Sequence, residues 1–165
     1  MDRRGTYTGD GGILVKPGEI HYVYGQGKLV SIVGPGVVIC LWSEQKKIAI
    51  MGHYLWPSMH DPSSTTASYG NVCILKALEM AEYNTEDTLL EAQIFGGALA
   101  EGKMGPGEEN VLVARRILSK RGIPLVSCDT GGSKGRKILL DVQTGHVMVL
   151  KVHKLREEDW LLCPC

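Results

Sequence analysis

No stretch of the sequence is apolar over the roughly 20 residues that a membrane-crossing helix needs, so insertion into a bilayer is not expected. Neither sign of charge prevails, with 18 Lys and Arg against 18 Asp and Glu. Without a net field to draw phosphate backbones, nucleic acid is set aside as a partner. The cysteines are Cys40, Cys73, Cys128, Cys163 and Cys165, an odd number placed mostly inside apolar segments, which argues against a disulfide framework. The opening residues, MDRRGTYTGDGG, carry no apolar leader stretch. Together these absences point to a cytoplasmic protein.

Familiar catalytic signatures are scarce as well. The Gly-rich segment IFGGALAEGKMGPGEEN (94–110) has no Gly-Lys-Ser/Thr to grip phosphates, and no G-x-S-x-G elbow or paired acids of the glycosidase kind occur. The C-x-C of Cys163 and Cys165 is too sparse for a tetrahedral zinc site. No cofactor and no metal are expected.

What is present is glycine, 21 residues in 165, spread between apolar runs, a pattern of many turns joining many short strands. The length and the 44% hydrophobic content suit one domain over 1–165, loose at about 1–12 and 156–165. Strands are predicted at 13–16, 20–24, 28–33, 37–42, 47–51, 91–95, 125–128, 137–142 and 146–152, the last two around a QTGH turn. Two segments read as helices instead. YGNVCILKALEMAEYN (69–84) places Val72, Leu75, Leu78, Ile74, Ala77 and Ala81 on a broad apolar face. GEENVLVARRILSKRG (107–122) opens with Glu108 and Glu109 and closes with Lys120, Arg121 and Gly122, charges that complement the helix dipole.

The stretch IVGPGVVICLWSEQKKIAIMGHYLWP (32–57) reads as a hairpin around a polar turn. A two-residue loop at Glu44 and Gln45 places Gly36 opposite His53 and Cys40 opposite Ala49, roughly 13 Å from position 36. His53 thus meets a glycine, with the nearest thiol out of reach. At a strand end before a Pro- and Ser-rich loop (56–68), His53 could reach a substrate as a general base, but spacing alone favours a hairpin cap through a backbone hydrogen bond. Gly34-Pro35-Gly36 suits close backbone approach to a ligand, or an ordinary turn. DTGGSKGRK (129–137) precedes a strand and reads as a solvated turn, with an interaction surface as the alternative.

The series MGHYLWP, QIFGGA (93–98), EENV, GIPLVSCDTGGSKGRK (122–137) and TG (144–145) resembles, in order, the chemoreceptor glutamine deamidases of the CheD family, from about Lys16 to Lys151. The resemblance implies an α+β fold, a β-sandwich-like core of many short strands with two main helices packed outside. It also implies a cysteine nucleophile activated by a histidine with help from a threonine. The family cysteine falls on Gly36, the histidine on His53 and the threonine at about Val30, beside Ser31. Pro35, Tyr54 and Trp56 are the neighbouring binding candidates. A chain so altered is expected to bind chemoreceptor cytoplasmic helices, or a CheC-like phosphatase, without Cys-dependent deamidation. Two alternatives stand beside it. One is an active protein-glutamine amidohydrolase in which His53 activates a displaced serine, Ser31 or Ser58, with Asp61 near in sequence. The other is a binding module unconnected with chemotaxis.

Overall fold

Val37–Ser43 (β5) and Ile48–Tyr54 (β6) are buried at every position, as happens when both faces of a strand are covered. In the computed structural model, which describes residues 6–7, 11–61, 66–84 and 89–154, these two strands sit in the middle layer of three. Alternate residues explain the layering. Val37, Ile39 and Leu41 pack with Ile74, Ala77 and Leu78 of Gly70–Asn84 (α1) and with Ala114 and Leu118 of Gly107–Lys120 (α2). Val38, Cys40 and Trp42 face the other way, onto Leu29, Val33, Ile138 and Leu140 of a second sheet.

Among the described residues the strands form two five-stranded sheets. One has the order β1-β2-β4-β9-β10, from Thr6–Tyr7 (β1), Ile13–Leu14 (β2), Lys28–Val33 (β4), Gly135–Asp141 (β9) and Val147–Val152 (β10). The other has the order β3-β6-β5-β7-β8, adding Ile20–Tyr24 (β3), Glu91–Gly96 (β7) and Leu125–Thr130 (β8). Two helices lie on the outer face of this second sheet, so the fold is the α+β, two-sheet arrangement expected. Within the N-terminal stretch expected to be loose, Thr6–Tyr7 pairs antiparallel with β2. Residues 155–165, with Cys163 and Cys165, lie outside the described residues.

The predicted strands are all found, but the β5–β6 register is not the one expected. Val37 pairs with Tyr54, Val38 with His53 and Cys40 with Met51, two residues removed from the pairing that put Gly36 opposite His53. The reason is the turn. Glu44–Lys47 form a four-residue loop in which the Lys46 amide donates to Ser43 Oγ and Lys47 takes a positive φ of 49°. A shift of two residues keeps every side chain on its face, so the layering survives the error. On α1 the buried stripe runs through Cys73, Ile74, Ala77, Leu78 and Ala81, while Leu75, expected in the core, is 42% exposed.

α2 begins and ends as its charges suggest. Glu108 and Glu109 lie in the first turn, and past Arg121 the Gly122 amide bonds to Ser119 O while that of Ile123 returns to Leu118 O. Its buried residues, Gly107, Asn110, Ala114 and Leu118, recur at three- and four-residue spacing. A Cβ at Gly107 would come within 2.7 Å of Gly97 O, so the glycines of the 94–110 segment let the helix start directly against the end of β7. From there α2 carries the chain back, and β8 pairs parallel to β7.

Candidate functional site

Leu29, Ser31 and Val33 of β4 alternate towards the space between the sheets, as do Ala49, Met51 and His53 of β6. In each trio one residue is polar, and the two polar residues meet. Ser31 Oγ lies 3.0 Å from His53 Nδ1, both side chains buried. Ser31 also donates its hydroxyl hydrogen to Val15 O at 2.7 Å. A hydroxyl has one hydrogen, so His53 must be the donor in the other bond, with its proton on Nδ1 and a lone pair on Nε2. The His53 backbone is held on both sides, its amide by Glu19 O and its carbonyl by the Gly18 amide. Burial drives the imidazole pKa down to about 4, so the ring is neutral near pH 7.

The lone pair on Nε2 looks toward Gly36. A Cβ built on that glycine would stand 3.3 Å from Nε2, so despite the changed register positions 36 and 53 are brought together. The same Cβ would approach Tyr54 O to 2.5 Å, closer than such contacts occur, and the turn has therefore closed against β6. Every carbonyl of the turn is occupied. Gly34 O accepts from the Ala98 amide, Pro35 O from Asn110 Nδ2, and Gly36 O from the Gly97 amide. Asn110 gives its other amide hydrogen to Leu55 O at 2.9 Å, and its main-chain carbonyl accepts the Tyr54 hydroxyl at 2.6 Å. One asparagine in the first turn of α2 thus ties the Gly34–Gly36 turn to the end of β6.

The remaining candidates are distributed around this centre. Pro35 and Trp56 are exposed, the latter bridging to Tyr69 at the foot of α1, whereas Tyr54 is fully buried on the helical side and has no surface to offer a ligand. Ser31 sits at Nδ1, across the ring from Gly36, which makes it the support of the imidazole. Ser58 is half-buried on the following loop and shares no hydrogen bond with His53, and Asp61 is exposed. Other thiols do not stand in. Cys40 is enclosed between the sheets with its pKa pushed well above the usual range, and burial of Cys73 raises its thiol to about 12. Cys128 is exposed on β8 and accepts a hydrogen bond from Arg115. Among the described residues no group of three or more His, Cys, Asp or Glu is arranged to hold a metal ion, and no helix is long and apolar enough to cross a membrane.

Sequence reasoning missed Asn110 and the burial of Arg136. Gly132, Ser133 and Lys134 form an exposed turn as expected, but Arg136 is 2% exposed and donates to Asp129 Oδ1, Gly131 O and Lys134 O. An apolar context after position 136 was the available signal, since Lys137–Val142 was already read as a strand. For Asn110 there was little signal, because a polar residue in a first helical turn looks like one facing water.

The candidate site is thus a neutral, oriented imidazole beside a tight turn, set in a two-sheet α+β scaffold. The comparisons narrow this further. The family model for CheD, "CheD chemotactic sensory transduction", matches residues 56–151. The chain is 35% identical over 130 residues to the probable chemoreceptor glutamine deamidase CheD of Sulfurimonas denitrificans, covering 75% of this chain and 83% of the relative. To the corresponding protein of Pyrococcus horikoshii it is 37% identical over 151 residues, 84% of this chain and 92% of the relative. To that numbered CheD 1 in Anaeromyxobacter dehalogenans it is 29% identical over 153 residues, 88% and 89%. The chain belongs to the CheD family.

Proposed function

We propose that this CheD-family chain binds a chemoreceptor cytoplasmic helix, or a CheC-like phosphatase, at the surface around Pro35 without hydrolysing a glutamine amide. The observation that carries the reading is Gly36. Deamidation through a cysteine needs a thiolate to attack the carboxamide carbon, expulsion of ammonia with a proton supplied to it, and attack of water on the resulting thioester. His53 would be the base, neutral and with its lone pair turned to residue 36, but Gly36 has no side chain, and a Cβ there, 3.3 Å from Nε2, would already crowd Tyr54 O. In a comparable hydrolase, loss of the nucleophile alone costs on the order of 10⁶ in kcat. Such a protein would act beside receptor helices in the cytoplasm, by occupancy.

The test is to incubate the protein with a glutamine-bearing cytoplasmic receptor fragment, follow deamidation by mass spectrometry and measure binding by calorimetry. Binding without conversion is expected. Conversion by the wild type would overturn the reading, and absence of binding to both the receptor fragment and the phosphatase would remove its second half. A Pro35→Ser, Gly36→Cys double variant that alone converts the fragment would trace the silence to the missing thiol.

A further inference from the structure

One cleft opens beside the Gly34–Gly36 turn and a second adjoins it. The first, of about 330 Å³, is walled by Gly34, Pro35, Leu99, Met104 and Pro106, with Lys103 at its side. The second, of about 340 Å³, is lined by Asp129, Thr130, Lys134, Arg136 and Lys151. Ser133 lines both, so they adjoin as one groove with an apolar end and a basic end.

The apolar end is open to solvent. Met104 is 99% exposed and Leu99 39%, both on the 97–106 loop and both lining the cleft, an arrangement that leaves a large apolar side chain in water. The walls of the basic end are fixed from inside. Arg136 spends its guanidinium on Asp129, Gly131 O and Lys134 O, while the Leu99 amide bonds to Gly132 O and the Gly131 amide to Gly96 O, which joins the two loops. The charge is lopsided in a chain that is neutral overall. Lys103, Lys134, Arg136 and Lys151 stand on the groove against one carboxylate, Asp129, which is already shared by Arg136 at 2.9 Å and Lys151 at 3.0 Å. Lys103 and Lys134 are exposed and held in no ion pair among the described residues.

We infer that this groove is a docking site for an acidic polypeptide segment with an apolar side, its apolar residues against Pro35, Leu99 and Met104 and its carboxylates on Lys103, Lys134 and Lys151. Charge complementarity selects the partner, because a preformed basic wall adjoining an apolar one rewards carboxylates and hydrophobes carried on the same chain. The inference rests on the binding reading above and gives its partner a chemistry.

The experiment uses the full chain and fluorescence anisotropy with a labelled helical peptide bearing leucines on one side and glutamates beside them. Counterparts carry lysine for glutamate, or serine for leucine, and a single-stranded oligonucleotide serves as a polyanion without an apolar side. The leucine–glutamate peptide is expected to bind tightest. The exposed pair Lys103→Glu and Lys134→Glu should weaken it about tenfold or more, and raised salt should mimic that loss. Met104→Ser should weaken it severalfold in salt-insensitive fashion. Equal binding of the glutamate and lysine peptides, tighter binding of the oligonucleotide, or no effect of the lysine reversals would overturn the inference. The receptor fragment run in parallel separates the two readings. If it binds wild type and reversed variant alike, the groove fails and the receptor reading stands. If the acidic peptide binds and neither receptor fragment nor phosphatase does, the groove stands and the receptor reading fails.

Discussion

Replacing Gly36 with alanine adds one methyl group at a point where neither side can yield. The new Cβ would lie 2.5 Å from Tyr54 O and 3.3 Å from both His53 Nε2 and Leu55 Cδ2. The Tyr54 carbonyl cannot retreat easily, because Tyr54 pairs with Val37 of β5 and the residue before it is held by the Glu19 carbonyl and the Gly18 amide. The turn is equally committed, its three carbonyls bonded to the amides of Ala98 and Gly97 and to Asn110. Overpacking of this kind costs about 1–3 kcal/mol. For a chain of this size each kcal/mol lowers Tm by about 2–4 °C, so Gly36→Ala should melt roughly 2–12 °C below wild type. Thermal and urea unfolding followed by circular dichroism would measure it, with an unchanged urea slope showing that the loss is in stability and not in compactness. An alanine variant within a degree of wild type would refute the reasoning. The turn would then have slack, and a cysteine side chain would fit there without displacement of β6. If the reasoning holds, a Pro35→Ser, Gly36→Cys variant must reopen the turn before it can present a thiol, and it too should be less stable than wild type.

Acid should destabilise the protein through His53. Its folded pKa, about 4, lies below the unfolded value near 6.5, so between these limits the unfolded state binds more protons and stability falls as pH falls. The loss is about 3 kcal/mol at full extent, and His53→Gln should flatten that part of the urea-midpoint profile between pH 7 and 4.5, whereas a parallel profile would refute the assignment. Asn110→Ala strips partners from Pro35 O and Leu55 O and should cost about 2–3 kcal/mol, measured by urea unfolding; a loss below 0.5 kcal/mol would show that the turn does not depend on it. Arg136→Met leaves two carbonyls unpaired and Asp129 with Lys151 alone, and a loss of about 2–4 kcal/mol is expected in the same assay.

The layers were legible because burial on both faces writes itself as unbroken apolar runs, as in Val37–Trp42, and burial on one stripe as helical spacing, as in α2. The pairing of His53 with position 36 was reached through a wrong register. Loop length cannot be read from SEQKK, where any of several polar residues can supply the turn, and the positive φ at Lys47 is adopted by a residue with no special preference for it. Ser31 was half legible. As the only polar residue among Leu29, Ser31 and Val33 on one face of a strand, it asked for a buried partner, and the only polar residue on the facing stretch of β6 was His53. Its place on the Nδ1 side required the position of Val15 O, which follows from the parallel pairing of β2 with β4, a contact no local pattern encodes. Asn110 and Arg136 were missed for a shared reason. Apart from the Asp129 carboxylate on Arg136, the partners of both side chains are backbone carbonyls from segments distant in sequence or within a loop, and carbonyls have no sequence signature.

β4 ends at Val33 in one sheet and β5 begins at Val37 in the other, so the chain crosses between the sheets in three residues, and those three are Gly34, Pro35 and Gly36. The site is therefore a seam. Whatever grips that turn grips both sheets together, and a bound partner should slow amide exchange in β4 and β9 as well as in β5 and β6, although it touches neither pair along its length. Occupancy alone would then alter how the whole molecule breathes, a means of registering a bound partner that needs no turnover.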